Sequence, residues 1–372
     1  MPAGRPHPSP PCPPPIQPVT RCKTERHAMT HSLHHRTIDP SRRRLLRGAA
    51  ALAVGAPLIG VGLPSLSRAQ QPTGEVIKVG WNGSGICLIS QPVAQAKGFF
   101  EKHGANVEFV NFGSGFAQGV EAVAAGKVDT YVNFILQYLK PLEQGVAVKF
   151  TGTVHGGCIR VLAKNGAQEV DYATLKGKSI GVPSIDNPAK QFLSVELQKV
   201  GINPQNEVEW KVFPNDLLGE ALSKGEVQAV SGVDPAIYVT FRQHKDEFAE
   251  IGGLHFGEHQ QLACCAIGVR EEFVQNRRGD AAAFTRALLE SAQWVSENPD
   301  EAAEIFTQYS PIERPILAEI IRSHTHDVHY PAGDRLVQHL SAYGKDLQEV
   351  GILRRRTDVD ALARKVSVDV LS

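Results

Sequence analysis

From Glu75 onward the chain repeats one unit: a β-branched run, a break with glycine, a stretch of helical period, and a glycine stop. Glu75 to Trp81 predicts a strand. Gly83, Ser84 and Gly85 break it, and Gln91 to His103 places Val93, Ala96, Phe99 and Phe100 at helical spacing, with Gly104 behind. The next unit runs Val107 to Phe112 as a strand, Gly113, Ser114 and Gly115 as a turn, and Phe116 to Ala125 as a helix stopped by Gly126. Val128 to Phe134 then predicts a strand, and Leu136 to Gln144 and Val146 to Val154 continue the alternation. After Gly166 it restarts with Ser179 to Val182, Ala189 to Val200, Val208 to Phe213, Leu217 to Ser223, Val227 to Val233 and Ala236 to His244. Strands alternating with helices of about 10–15 residues form βαβ units and parallel sheet.

Two stretches echo one another: EAVAAGKV at 121–128 and EALSKGEV at 220–227 share Glu, Ala, Gly and Val. Each reads as a helix ended by glycine and entering a strand, which supports two similar α/β lobes. Cys264 to Val269 adds one short strand. The remainder is helical: Ala281 to Thr307 with a break at Asn298 and Pro299, then Ile316 to Ile321, Arg335 to Val350 and Val359 to Val368.

Charge separates a leader from the body. Lys plus Arg and Asp plus Glu each total 39, but residues 1–69 hold 10 basic and 2 acidic ones, leaving 29 and 37 in the rest. An acidic body without basic runs argues against nucleic-acid binding, and no apolar run in it approaches the roughly 20 residues of a membrane span. Residues 1–28 are rich in Pro, Arg and His and read as a disordered extension, which makes Met29 a candidate start beside Met1. Ser41, Arg42, Arg43, Leu45 and Leu46, then an apolar run from Ala49 to Leu66 and small residues at Ser67 and Ala69, resemble a twin-arginine export signal cleaved after Ala69. The expected location is the periplasm.

Enzyme signatures fail. Gly177, Lys178 and Ser179 lack the earlier glycine of a phosphate loop, since Tyr172 stands there, and they precede a strand. Gly83 and Gly85 lack the third glycine of a dinucleotide fingerprint. There is no GxSxG and no HExxH. The glycine loops between strand and helix still let a ligand approach free N–H groups at a helix start. The loops at Gly83–Cys87, Gly113–Gly115, Ser184–Asn187 and Asn215–Asp216 are of this kind. His155 and Cys158 lie where the first half ends, and Cys264 and Cys265 where the chain returns, so His155, Cys158 and Cys264 are candidates for one thiol or soft-metal site, with Cys87 nearby. The competing reading is buried cysteine as a small hydrophobe. His324, His326, Asp327 and His329 fit no single helical face and read as a solvated turn.

The order of these units, with the segment from Val76 to Gly104, GKVD at 126–129, LKGKSIGVP at 175–183, VDPAI at 233–237 and GVREEFV at 268–274, resembles the nitrate, sulfonate and taurine class of ABC-transporter solute-binding proteins, NMT1-like proteins included. The resemblance covers about residues 75–330. It implies a type II periplasmic-binding fold, two α/β lobes joined by two crossing strands, with C-terminal helices. Residues 75–160 and 265–372 would form lobe I and 161–264 lobe II. The contacts it implies for a small anionic or polar solute are Gly83, Ser84, Gly85, Gly113, Ser114, Gly115, Asn133, His155, Ser184, Asp186, Asn187 and Asp234, to which the residue pattern adds Cys87, Cys158 and Cys264. It also implies a monomer without cofactor or catalytic residues, working with permease and ATPase subunits. The alternative is a thiamin-pyrimidine type of binding protein or a pyrimidine-synthase-like enzyme, because those relatives have a Cys-rich stretch that Cys264 and Cys265 resemble.

The export reading is directly testable. Replacing Arg42 and Arg43 together by Lys is expected to strand precursor in the cytoplasm, and unchanged periplasmic yield on cell fractionation would refute the twin-arginine route.

Overall fold

The computed structural model describes residues 71–83, 85–111, 115–165, 172–325 and 331–372. The leader with Arg42 and Arg43, and Ser84, Gly113, Ser114, His326, Asp327 and His329, lie outside them.

Among the described residues ten strands form two five-stranded sheets. The first contains β1 (Val76–Trp81), β2 (Asn106–Asn111), β3 (Thr130–Phe134) and β4 (Val148–His155). The second contains β5 (Ile159–Lys164), β6 (Ser179–Val182), β7 (Glu209–Val212), β8 (Ala229–Val233) and β9 (Phe248–Gly253), and β10 (Cys265–Arg270) returns to the first. The orders are β2-β1-β3-β10-β4 and β7-β6-β8-β5-β9. These are one pattern used twice. In each sheet three parallel strands are followed by one antiparallel strand delivered by a crossing of the chain: β10 pairs antiparallel with β3 and β4, and β5 with β8 and β9. The expectation of parallel sheet therefore needs amending to two mixed sheets. Period-2 and apolar-run signals do not report strand direction, which the crossings decide.

The echoed segments occupy equivalent places. Helix Phe116–Ala124 enters β3 through Gly126 at φ +68°, and helix Leu218–Ser223 enters β8 through Gly225 at φ +75°. In both, the residue after the glycine bonds back into the helix (Lys127 N to Ala122 O, 2.9 Å; Glu226 N to Ala221 O, 3.0 Å). The following valines, Val128 and Val227, are buried. Asp129 N then meets Lys78 O on β1, and Gln228 N meets Ser179 O on β6, so the same stop sets the same register in both sheets.

Elsewhere the boundaries move for local reasons. The single helix expected from Gln91 to His103 is two, Ser90–Ala96 and Phe99–His103, because Gly98 sits at φ +71° between them. The long helix after Arg270 runs Arg278–Glu297, and a second, Pro299–Phe306, starts at the Asn298–Pro299 break. No described helix is long and apolar enough to cross a membrane.

The inserted strand β10 is packed with no slack. A Cβ at Gly268 would lie 2.3 Å from the Tyr138 hydroxyl oxygen, which donates to Tyr131 O at 2.7 Å in the buried interior. Gly268→Ala is expected to cost about 1–3 kcal/mol through overpacking. A urea midpoint that falls at unchanged m value would show it, and an unchanged midpoint would mean that the strand can shift.

Candidate functional site

The cavity that matches the expected cleft has a volume of about 960 Å³ and lies between the carboxyl ends of the parallel strands of both sheets, the place where open α/β sheets bind ligands. From the first sheet it receives Asn82 and Gly85 after β1, Gly115, Phe116, Ala117 and Gln118 after β2, and Ser310–Ile312. From the second it receives Pro183, Ser184, Asp186 and Asn187 after β6, Asn215 and Asp216 after β7, and Val233–Ala236, Thr240 and Gln243 around the end of β8. No Lys or Arg stands among these lining residues, whereas Asp186 and Asp216 are exposed on the second wall.

The two walls differ in polarity. Gly115 caps helix Phe116–Ala124 and has no side chain to close it, and among the described residues no side chain accepts from the first-turn N–H groups, which present the positive end of the helix. Opposite, helix Pro188–Lys199 begins with Asn187, whose side chain accepts from Ala189 N at 2.9 Å, and Pro188 has no N–H to give. The second helix start is closed by its own cap. The cleft thus offers donors on one side and carboxylates on the other.

Behind the second wall lies a buried ion network. Arg160 on β5 is 2% exposed. Its Nε donates to Asp234 at 2.9 and 3.1 Å, Nη1 to Glu250 at 2.8 Å and Nη2 to Ser323 Oγ at 2.5 Å. His324 Nε2 meets the other side of the Asp234 carboxylate at 3.0 Å. Burial raises the Asp234 pKa, but the Arg160 charge and the His324 contact override it and hold the carboxyl below its ordinary range. Burial alone would depress Arg160, and Asp234 and Glu250 instead hold it above its ordinary value.

The four described cysteines, Cys87, Cys158, Cys264 and Cys265, converge at the crossings, buried and free of disulfides. Cys158 Sγ is 2.9 Å from Cys264 Sγ, Cys264 Sγ is 3.6 Å from Cys265 Sγ and 3.7 Å from His155 Nδ1. Its polar neighbours, Cys158 first and then Cys265 and His155, outweigh burial and hold Cys87 below the usual thiol range. Burial raises Cys158 and Cys265. The His155 ring stacks on His324 at 5.1 Å, which joins the thiols to the Arg160–Asp234 network.

A family model described as NMT1/THI5 like matches residues 90–302. The chain belongs to the NMT1/THI5-like family. A relative from Haemophilus influenzae, named for thiamine biosynthesis, is 26% identical over 234 residues, 59% of this chain and 69% of its own length. The periplasmic aliphatic sulphonate binding protein SsuA of Escherichia coli superposes with a TM-score of 0.64 at 13% identity, covering 79% of this chain and 92% of SsuA. The periplasmic nitrate-binding protein NrtA of Synechocystis PCC 6803 does so at 0.63 and 16% identity, covering 80% and 87%. At these identities the two structures share the fold, a periplasmic-binding-protein fold, with this NMT1/THI5-like chain.

Against this frame the sequence-derived residues divide. Gly85, Gly115, Ser184, Asp186 and Asn187 line the cleft. Gly83 stands beside it at φ +83° without lining it. Asn133 does not face the ligand space: its Nδ2 donates to Phe116 O at 3.0 Å and its Oδ1 accepts from Phe134 N at 2.8 Å, so it braces the helix start. Asp234 borders the cleft, and its carboxylate is held by Arg160 and His324. Cys87, His155, Cys158 and Cys264 lie in the interior rather than on the cleft wall. His324, read as part of a solvated turn, is buried because Asp234 needs a second partner. Asn82, Gln118, Thr240 and Gln243 on the wall, and Arg160 and Glu250 behind it, were missed. Arg160 had a visible signal, a single cation inside the apolar run from Ile159 to Ala163, since a buried charge must find partners.

Asp234→Asn leaves the Arg160 guanidinium buried without its main counter-charge and is expected to cost about 3–5 kcal/mol. The sign with pH follows from the depressed carboxyl: its contribution is present above the unfolded value of about 3.9 and is lost as pH falls below it. Denaturant melts at neutral and acid pH should therefore show the largest difference between the two proteins at neutral pH and a shrinking one on acidification. A constant difference would refute the assignment.

Proposed function

We propose that this protein is the solute-binding component of an ABC importer, exported to the periplasm, which captures a small polar solute between its two lobes and hands it to permease and ATPase subunits. The observation that supports it is the cleft of about 960 Å³, built from equivalent loops of both sheets on a fold shared with SsuA and NrtA. Among the described residues no set of nucleophile, base and orienting group lines it, and capture rather than turnover is the reading we favour.

Of the anionic and polar descriptions, the polar one suits the walls. A nitrate or simple sulfonate would find the N–H groups at Gly115–Gln118 but would face Asp186 and Asp216 with no lining cation to offset them. A compound with an acceptor group at one end and N–H donors or positive charge at the other satisfies both walls. Amino-sulfonates of the taurine kind and aminopyrimidines of the thiamine-precursor kind meet this description, and the relative named for thiamine biosynthesis favours the second.

Thermal-shift titration with aminopyrimidines, taurine, alkanesulfonates and nitrate tests this. A solute at 100 times its Kd should stabilise by about 2.7 kcal/mol. The dipolar compounds are expected to shift the melting temperature, and Asp186→Asn with Asp216→Asn should weaken that shift at least several-fold while leaving the unliganded melt in place. Nitrate or an alkanesulfonate shifting as much, with no effect of the double substitution, would overturn the ligand class. No shift with any compound would count against the binding function itself.

A further inference from the structure

Three thiols and one imidazole meet in the interior, and one nitrogen of the imidazole has no hydrogen-bond partner among the described residues. Ligand atoms of Cys87, His155, Cys158 and Cys265 all lie within 4.8 Å of one another, and all four residues are buried. They arrive from three separate segments: the 3₁₀ turn Ile86–Leu88 after β1, the crossing from β4 to β5, and the start of β10. His155 Nε2 is buried without a hydrogen bond among the described residues, while Nδ1 has the Gly156 carbonyl at 3.2 Å and Cys264 Sγ at 3.7 Å. An uncoordinated imidazole nitrogen in a dry interior is costly unless something occupies it.

We propose that Cys87, His155, Cys158 and Cys265 form a tetrahedral zinc site at the hinge, behind the floor of the solute cleft. Zinc bonds of about 2.3 Å to sulfur and 2.0 Å to nitrogen put tetrahedral ligand atoms roughly 3.5–3.8 Å apart, so the quartet, within 4.8 Å, reaches this geometry with small side-chain rotations. One nitrogen and three sulfurs is a donor set of structural zinc, and thiolates exclude the hard cations. On binding, the three thiols lose their protons to solvent and His155 coordinates as the neutral ring, leaving the centre with one net negative charge. A route exists from the cleft side: a small chamber of about 20 Å³ is lined by Cys87 and Cys265 together with the cleft residues Asn82, Gly85, Phe116 and Asp234. Cys264 is the neighbour left out. Its sulfur, 2.9 Å from that of Cys158, makes a Cys158–Cys264 disulfide the chemical competitor of the metal.

The ion would tie the loop after β1 to both crossings, so its loss is expected to loosen the hinge. The full chain, expressed in zinc-supplemented medium and purified without chelator, should hold about one zinc by elemental analysis. Cobalt(II) substituted into it should give the intense d–d bands of a tetrahedral thiolate site. Cys87→Ser and Cys265→Ser should each remove most of the metal, whereas Cys264→Ser, outside the quartet, should retain it. The cobalt spectrum of the unsubstituted protein decides the matter even where a variant fails to fold. A protein without metal whose thiols all titrate after denaturation, six in the full chain with Cys12 and Cys22 included, overturns the site in favour of core packing. A metal-free protein lacking two thiols overturns it in favour of the disulfide, and metal that survives every substitution overturns the assignment of these ligands. None of these outcomes touches the thermal-shift result for solutes, so the zinc site and the solute function can fail independently.

Discussion

The crossing of two backbone segments, Gly156–Cys158 outward and Leu254–Cys264 back, is the constraint on which the rest of the structure depends. Each sheet needs an antiparallel fourth strand, and only a chain that crosses twice can deliver β5 to one and β10 to the other. The crossings are held by main-chain bonds: Cys264 N to His155 O at 2.9 Å, Leu254 N to Ile159 O at 3.0 Å and Asp234 N to Cys158 O at 3.0 Å. Buried N–H groups must be paired, so these bonds fix the spacing of the two sheets at their junction. The cleft is the space this junction leaves between two sets of strand ends.

The same junction explains why charge is buried there. Arg160 is the second residue of β5, the strand that carries the chain into the second sheet, and its partners come from β9 (Glu250), the end of β8 (Asp234) and the helix Arg314–Ser323 (Ser323), which packs on the helices Arg278–Glu297 and Pro299–Phe306. Such a network adds little net stability compared with apolar packing, but it tolerates only one relative placement of its members. Gln137 adds a contact of the same kind nearer the cleft, donating to Asp186 O at 2.7 Å and to Gln191 Oε1 at 3.0 Å. Specific polar contacts that cross between the lobes suit a hinge, because they can be exchanged for water on opening, whereas a continuous apolar interface could not.

Much of the fold was legible because its signals are local. Glycine stops at Gly126 and Gly225, the turn at Ser184–Asn187 and the Asn298–Pro299 break act within a few residues, and the echoed segments proved to hold equivalent places in the two sheets. What escaped was non-local. Strands β5 and β9 were not read, since a short apolar run without flanking helix carries no periodic signature. The direction of β5 and β10 depends on the crossings and not on their own residues. Among site residues, those on turns were found, whereas the partners of Asn133 and Asp234 were not read, because a polar residue at a strand end looks available until its partners are seen.

The convergence of thiols has a similar logic. Cys158, Cys264 and Cys265 sit beside the two crossings, where side chains from distant parts of the sequence must meet, and Cys87 joins them because the glycine loop after β1 is pressed against the same junction. An apolar quartet could have filled that volume at less desolvation cost, and the sequence uses polarizable, ionisable groups instead. His155 then connects this centre to the cleft, stacked on His324, whose other contact is the carboxylate of Asp234 at the cleft border. This pair of stacked rings joins the thiol centre to the residue that holds Arg160, so the two buried polar groups of the junction form one connected network.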